Sequence, residues 1–159
     1  DHSYQKWGFK YPASFLLIKH FKEFFPEFKF IHLIRDGRDV SFSQNQKHAL
    51  YYAPFFSLPS DDAPLNSFKF WSRANYWTYK TCKEELKEDQ YLSIRFEDLC
   101  TDPQTQIDRL INFANLKVEN KSEIYSMPKK IGSIGRWEEH EKIFEDLDKS
   151  VLRLFDYIN

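Results

Sequence analysis

The chain has 159 residues, of which 18% are aromatic and only 4 are glycine. This composition excludes fibrous and disordered proteins, and we expect residues 1–159 to form a single globular domain with a substantial core. The formal net charge of -1 argues against a general nucleic-acid-binding protein, so nucleic acid is not an expected partner.

Cysteine usage and hydropathy indicate the cellular setting. The two cysteines, Cys82 and Cys100, are too few for a disulfide framework and lack the spacing of metal ligands. No apolar run has the length of a membrane span, and the N-terminus lacks the pattern of a signal peptide. We therefore expect a cytoplasmic protein without a membrane partner.

Charge is distributed unevenly along the chain. Residues 1–50 contain eight Lys or Arg and five Asp or Glu, whereas residues 138–159 contain three bases and seven acids. A basic region of this size suits a local anion site better than a long track for a polyanion.

The first predicted elements are an extended segment and a helix. Pro12 disfavours helical geometry at the residue before it, so residues 9–12 are expected to be extended. Apolar residues then recur near helical spacing over residues 13–25, until Pro26 ends the pattern. A helix is therefore predicted there, followed by a strand at residues 28–34.

Residues 30–43 change from an apolar run to a charged turn and then to an amphipathic pattern, which predicts strand, turn and helix. We expect the helix to span residues 38–48, with Asp39 accepting hydrogen bonds from free amides at its start. Such a helix start is a ready anion site, to which Arg35 and Ser43 would add a guanidinium and a hydroxyl. The alternative is a solvated turn whose charges pair with one another.

Three prolines mark a long surface loop over residues 49–66, and loops of that length often contact substrates. Residues 67–88 form the longest helical pattern of the chain. Its inward stripe comprises Phe68, Trp71, Ala74, Cys82 and either Trp77 or Thr78.

A second strand is predicted at residues 90–96, and Asp102 with Pro103 predicts the start of a helix over residues 104–114. Strands separated by helical segments indicate an α/β fold, a parallel sheet flanked by helices on both faces. In such sheets ligands bind beyond the carboxyl ends of the strands, where Arg35 and Phe96 both fall.

The last third of the chain contains a basic loop and an acidic segment. Residues 129–137 combine two glycines, a serine and several cations, which phosphate binding would use, although a flexible basic loop is the simpler interpretation. A final amphipathic helix is predicted after this loop. Its inward residues are Ile143, Phe144, Leu147, Val151, Leu152 and Phe155.

Three of these segments, at residues 35–43, 95–103 and 130–137, resemble motifs of the sulfotransferases that use 3′-phosphoadenosine-5′-phosphosulfate (PAPS) and release 3′,5′-adenosine diphosphate (PAP). The motifs stand in the family's order, and the pattern is closest to bacterial and tyrosylprotein sulfotransferases. The resemblance implies a P-loop-NTPase-like sulfotransferase fold.

The resemblance assigns nucleotide contacts to three residues of the two strand regions. It implies that Arg35 and Ser43 hold the 3′-phosphate. It also implies that Phe96, which replaces the family's usual Tyr, contacts the adenine by stacking.

The resemblance also assigns roles to residues of the basic loop near the C-terminus and of the segment before the first helix. Lys130 and Gly132 stand at positions of the family's loop over the 3′-phosphate, where Ser133 adds a hydroxyl, and Ile131 replaces a cation. Lys10 occupies the place of a Lys that touches the transferring sulfuryl group, so it is the predicted catalytic residue. No metal is required by this scheme.

Two expected features of the family have no counterpart in the sequence. The Gly- and Ser/Thr-rich 5′-phosphosulfate loop and the first strand should lie before residue 1, and no general base is recognisable. We therefore interpret the chain as the C-terminal part of a sulfotransferase domain, N-terminally truncated, with an upstream segment as a candidate partner that completes the fold.

The predicted function is transfer of a sulfuryl group from PAPS to a hydroxyl or amine on an acceptor. The acceptor is left open between a small molecule, a sugar and a protein side chain. One alternative is a non-catalytic module, or inactive fragment, that binds PAP or PAPS. Another is an unrelated α/β interaction domain whose basic turn is only a surface.

Overall fold

The computed structural model describes residues 6–129 and 131–159, and this described part contains two strands and eight α-helices. The strands are β1, Phe30–Ile34, and β2, Tyr91–Arg95. The helices are α1 Ile18–Phe24, α2 Gly37–Val40, α3 Lys47–Tyr52, α4 Pro64–Glu85, α5 Phe96–Thr101, α6 Pro103–Ala114, α7 Lys121–Tyr125 and α8 Ser150–Leu154. Short 3₁₀ segments lie at Pro12–Leu17, Ala53–Phe56, Glu88–Gln90 and Arg136–Phe144.

The two strands form a small parallel sheet, which confirms that part of the predicted fold class. Phe30 lies opposite Tyr91, and Ile34 lies opposite Arg95. Because the strands end side by side, the residues that follow them, Arg35 and Phe96, emerge at the same edge of the sheet.

The two faces of β1 are covered differently. His32 and Ile34 are buried, whereas Ile31 and Leu33 are 44% and 55% exposed. Ile34 belongs to the main core cluster, which Phe68 and Trp71 of α4 share with residues of the last 16 positions of the chain. The expectation of cover on both faces is therefore wrong for β1 among the described residues.

Helix α4 provides one wall of the core. Four of the five expected inward residues are buried as predicted, and the open alternative resolves to Thr78, which is 2% exposed, against 44% for Trp77. The hydroxyl of Thr78 donates to the carbonyl of Ala74 at 2.7 Å, so its polar atom is satisfied within the helix. The periodicity of this segment therefore identified the buried face.

The predicted continuous helix over residues 38–48 is wrong, because α2 ends at Val40 and α3 begins only at Lys47. The side chain of Gln46 explains the break. Its Nε2 donates to the carbonyls of Val40, Ser41 and Ser43 at 2.9, 3.2 and 2.9 Å. These bonds satisfy carbonyls that a continued helix would have paired with backbone amides.

Two further boundaries differ from the prediction. The expected loop at residues 49–66 instead contains most of α3 and a 3₁₀ segment, and the small side chains of Ala49 and Ala53 pack in a second core cluster there. The expected final helix is a 3₁₀ segment kinked at His140, followed by the separate helix α8. Phe144, Val151, Leu152 and Phe155 are buried as predicted, but Ile143 is exposed.

The start of α6 agrees with its sequence signal. The carboxylate of Asp102 accepts a hydrogen bond from the Thr105 N–H at 3.3 Å, and Pro103 occupies the first turn. Among the described residues, no helix combines the length and apolar character needed to cross a membrane.

Candidate functional site

The carboxyl ends of β1 and β2 lie side by side, and we call this end of the sheet its carboxyl edge. Arg35 meets two residues there that are distant from it in sequence. Its Nη2 donates to both the carbonyl and the hydroxyl oxygen of Ser133 at 2.8 Å. Its guanidinium carbon lies 5.4 Å from the centroid of the Phe96 ring, within the range of a cation–π contact. Three residues from three separate sequence motifs therefore meet at one point.

Helix α4 fixes the backbone of Arg35 through a hydrogen bond. The indole Nε1 of Trp71 donates to the Arg35 carbonyl at 2.9 Å. Gly37 allows this approach, since a Cβ at that position would lie 2.2 Å from the Trp71 ring. Arg35 thus has a fixed backbone and a half-buried side chain.

The Arg35 guanidinium retains hydrogen-bonding capacity. Its Nε is buried and has no hydrogen-bond partner among the described residues. Arg95 shares this feature at the end of β2, but its Nη1 donates to the Asp156 carbonyl and its guanidinium lies 4.6 Å from the Tyr157 ring centroid. The Nε of Arg95 also lies 3.7 Å from Oδ2 of Asp98, whereas no carboxylate pairs with Arg35 among the described residues. Arg35 is therefore the better candidate for binding an anion.

The second arginine of the charged turn, Arg38, is paired within the turn. Its Nη2 lies 2.6 Å from Oδ2 of Asp36, and both side chains are buried. The Arg38 guanidinium also lies 3.6 Å from the centroid of the Trp137 ring. The alternative of paired charges is thus right for Arg38 and Asp36, although the pair is buried and not solvated.

The helix start at this turn is capped by Asp36 and not by Asp39, so that part of the prediction is wrong. Oδ1 of Asp36 accepts from the Arg38 N–H at 2.9 Å. Asp39 lies one turn later with its carboxylate directed to residues 135 and 137, from whose N–H groups it accepts.

Glu97 joins the ends of the two strands. Its Oε1 accepts from the Asp36 N–H at 3.0 Å, and its Oε2 accepts from the Tyr157 hydroxyl at 2.9 Å. The same hydroxyl lies 3.1 Å from the Ile34 carbonyl. Burial and the adjacent Glu97 carboxylate raise the pKa of Tyr157, so the phenol stays protonated and can donate.

Three other residues are predicted to contact the nucleotide, and they are Ser43, Gly132 and Lys130. Ser43 lies in the turn after α2, where its hydroxyl accepts from the Asn45 N–H at 3.3 Å. Gly132 is exposed and adjoins Ser133 in the late loop. Lys130 lies outside the described residues.

Lys10, the predicted catalytic residue, is exposed and lines an open cavity of about 1160 Å³. The cavity also borders the outer face of β1 and the exposed rings of Trp7 and Phe9. Among the residues that the structure describes, Lys10 takes no part in the hydrogen bonds at the carboxyl edge.

His32 lines the same cavity but is held as a core residue, with 9% of its surface exposed. Its Nε2 donates to the side-chain Oδ1 of Asn75 at 2.9 Å, and its Nδ1 lies 3.1 Å from the Tyr91 hydroxyl. The Asn75 amide donates to the Trp71 carbonyl, which orients it as an acceptor. Burial lowers the pKa of His32 to about 4, so the imidazole is neutral at pH 7.

Sequence reasoning missed the roles of Asp39, Glu97 and Tyr157 at this edge. Glu97 directly follows Phe96, but nothing in its local pattern indicates a partner 60 residues away. Asp39 had a usable signal, because four charges within residues 35–39 can be buried only if each finds a partner.

The described residues contain no group of three His, Cys, Asp or Glu side chains that could hold a metal ion. A family model with the description "Sulfotransferase family" matches residues 1–120. No curated protein sequence matches the chain. The matched residues include Arg35 and Phe96, whereas Ser133 lies beyond them.

Proposed function

The chain belongs to the sulfotransferase family, and we propose that it binds PAPS at the carboxyl edge of its sheet and transfers the sulfuryl group to a hydroxyl or amine. The observation that carries this proposal is the meeting of Arg35, Phe96 and Ser133. Each was assigned to nucleotide binding from a different motif. A single site that binds both a phosphate and an adenine requires these three residues to lie close together.

In this proposal the edge residues bind and orient the nucleotide. Arg35 and Ser133 hold the 3′-phosphate through the guanidinium and the hydroxyl, and Phe96 lies against the adenine. In the same proposal, Ser43, Lys130 and Gly132 complete the nucleotide site. Binding energy from these groups aligns the sulfuryl group with the acceptor. A P-loop-NTPase-like fold, with a further strand beside this sheet, is part of the same proposal.

The chemistry is an in-line displacement at sulfur. A bond forms between the acceptor oxygen or nitrogen and sulfur, the bond from sulfur to the 5′-phosphate oxygen breaks, and PAP leaves with the electron pair. Lys10 would stabilise the charge that grows on the sulfuryl and bridging oxygens. The acceptor proton passes to a base that the described residues do not identify.

A second candidate function is nucleotide binding without transfer. The observation that favours it is His32, whose two ring nitrogens are both engaged, so it does not serve as the base. A chain that binds PAP but transfers no sulfuryl group to any acceptor would fit this candidate.

The test is calorimetric titration of the chain with PAP, alongside Arg35→Ala. We expect saturable binding that weakens by about 2–3 kcal/mol in the variant, the range for a lost charge-assisted pair. Arg153→Ala is the matched control, because it removes an exposed guanidinium whose one hydrogen bond within the described part of the chain goes to the Asn159 carbonyl. Equal affinity of Arg35→Ala and the parent chain would contradict the assignment.

A further inference from the structure

The charged turn and the late loop, residues 131–137, are joined by more than the contact between Arg35 and Ser133. Arg136 Nη1 donates to the Phe42 carbonyl at 2.7 Å, and Trp137 packs on the Arg38 guanidinium. Sequence motifs about 95 residues apart are thereby held as one unit.

Asp39 is the most deeply buried charge in this unit, with 1% of its surface exposed. Its Oδ2 accepts from the Gly135 N–H at 2.9 Å, and its Oδ1 accepts from the Trp137 N–H at 3.2 Å. A carboxylate removed from water requires such bonds, since an unpaired buried charge is strongly destabilising. The geometry of the loop is therefore tied to both oxygens of one side chain.

The position of Ser133 follows from this attachment. Ser133 precedes Gly135 by two residues, and its carbonyl accepts from Arg136 Nε at 3.2 Å. Gly135 adopts φ +84°, a conformation that favours glycine and turns the chain between Ser133 and Arg136. Because Asp39 holds the amides on both sides of Arg136, it fixes the loop that presents Ser133 to Arg35.

We propose that Asp39 is a positioning residue for the 3′-phosphate site, acting through the late loop and not by contact with the nucleotide. This inference rests on the proposed function. Direct contact is disfavoured because a carboxylate repels a phosphate, and because both Asp39 oxygens already accept hydrogen bonds from the loop.

A purely structural role for Asp39 makes a different prediction from a positioning role. General destabilisation of the fold would weaken the binding of any adenine nucleotide to the same degree. Displacement of Ser133 would weaken only the contacts to the 3′-phosphate. The ratio of the affinities for PAP and for 5′-AMP, which lacks that phosphate, separates the two roles.

The experiment measures this ratio by calorimetric titration for the chain and for Asp39→Asn. Asparagine keeps one acceptor oxygen but places an amide donor against the second N–H. We expect PAP affinity to fall about tenfold, as for one lost hydrogen bond to a charged group, while 5′-AMP affinity changes less than about twofold. Circular dichroism and thermal unfolding establish that the variant is folded.

Gly135→Ala provides an independent variant that does not alter the side chains of Arg35, Ser133 or Asp39. A Cβ at this positive φ strains the backbone, so we expect the loop to shift, whereas the nearest atom, Oε1 of the exposed Glu138 at 3.3 Å, can move aside. We expect the same selective loss of PAP affinity. Gly8→Ala is its control, because nothing lies within 4 Å of a Cβ there and the affinity ratio should not change.

An unchanged ratio in the folded variants, or an equal loss for both nucleotides, would overturn the positioning role of Asp39 while leaving the nucleotide site in place. Should Asp39→Asn fail to fold, Gly135→Ala tests by the same ratio whether the loop that Asp39 holds positions Ser133, and an unchanged ratio there would overturn the inference. Absence of PAP binding by the parent chain would instead contradict the proposed function on which the inference rests.

Discussion

The two regions that contain the predicted site residues are held in opposite ways. At the carboxyl edge of the sheet, the buried carboxylate of Asp39 and the half-buried carboxylate of Glu97 accept hydrogen bonds from backbone amides and fix the segments that contain Arg35, Phe96 and Ser133. In the N-terminal segment, residues 6–11, Trp7 and Phe9 are exposed and make ring contacts with Phe25 and Phe21.

The comparison shows how polar and apolar contacts differ in specificity. A buried charge must find directional partners, and those partners determine the geometry around it. Hydrophobic contacts are non-directional, and a polar contact of this segment, from Lys6 Nζ to the Ala114 carbonyl at 3.1 Å, is exposed. The N-terminal segment is therefore held less specifically. We therefore expect substitutions at the edge to change stability and nucleotide binding much more than substitutions in residues 6–11.

The largest expected effect comes from Gly37→Ala at the edge. The added Cβ would lie 2.2 Å from the Trp71 ring, which also donates to the Arg35 carbonyl, so either the ring or the turn must move. We expect a loss of about 3 kcal/mol in the free energy of unfolding, the upper part of the range for overpacking. Urea denaturation measures it.

Gly8→Ala is the matched control in the N-terminal segment, where the new Cβ meets no atom within 4 Å. We expect its unfolding midpoint to match that of the parent chain. Equal midpoints for Gly37→Ala and Gly8→Ala would remove the distinction between the two regions.

A similar or smaller effect is expected from pH, through His32 in β1. Its pKa is lowered from 6.5 to about 4 by burial, so the unfolded chain binds more protons between these values. Protonation of His32 should therefore not affect the free energy of unfolding above pH 6.5. Below it, this free energy should fall by up to about 3 kcal/mol as the pH decreases to 4. Denaturant titrations across this range measure the slope.

His32→Gln should flatten this pH dependence, whereas His20→Gln, which removes an exposed imidazole, should leave it as in the parent chain. An equally steep slope in the His32 variant would show that polar burial in β1 does not govern acid stability. That result would also weaken the conclusion that buried polar contacts are more specific than the apolar contacts of residues 6–11.

The smallest effect is expected for Lys10→Ala. Lys10 is exposed and is predicted to touch the sulfuryl group, which PAP does not carry. PAP affinity should therefore change by less than about 0.5 kcal/mol, as for most surface substitutions. A tenfold loss in calorimetric titration would mean that Lys10 belongs to the nucleotide site, and that the two regions act as one.

Much of the architecture could be predicted from the sequence because it depends on local patterns. The period of α4, the cap at Asp102 and the order of elements follow from side chains within a few residues of one another. The end of the helix after Val40 could not be predicted in this way, since the side chain of Gln46 takes the carbonyls that the helix would have used.

The sequence by itself determined the family, the parallel strands and the residues that each motif offers to a nucleotide. Only the tertiary structure decided which charges are structural: Arg38 and Asp39 are buried and paired, whereas the buried Nε of Arg35 has no hydrogen-bond partner among the described residues. The physical reason is that residues 35–39 form hydrogen bonds with residues far away in sequence, at positions 71, 97 and 133–157. A local pattern specifies what a side chain can bind, but the fold decides what it meets.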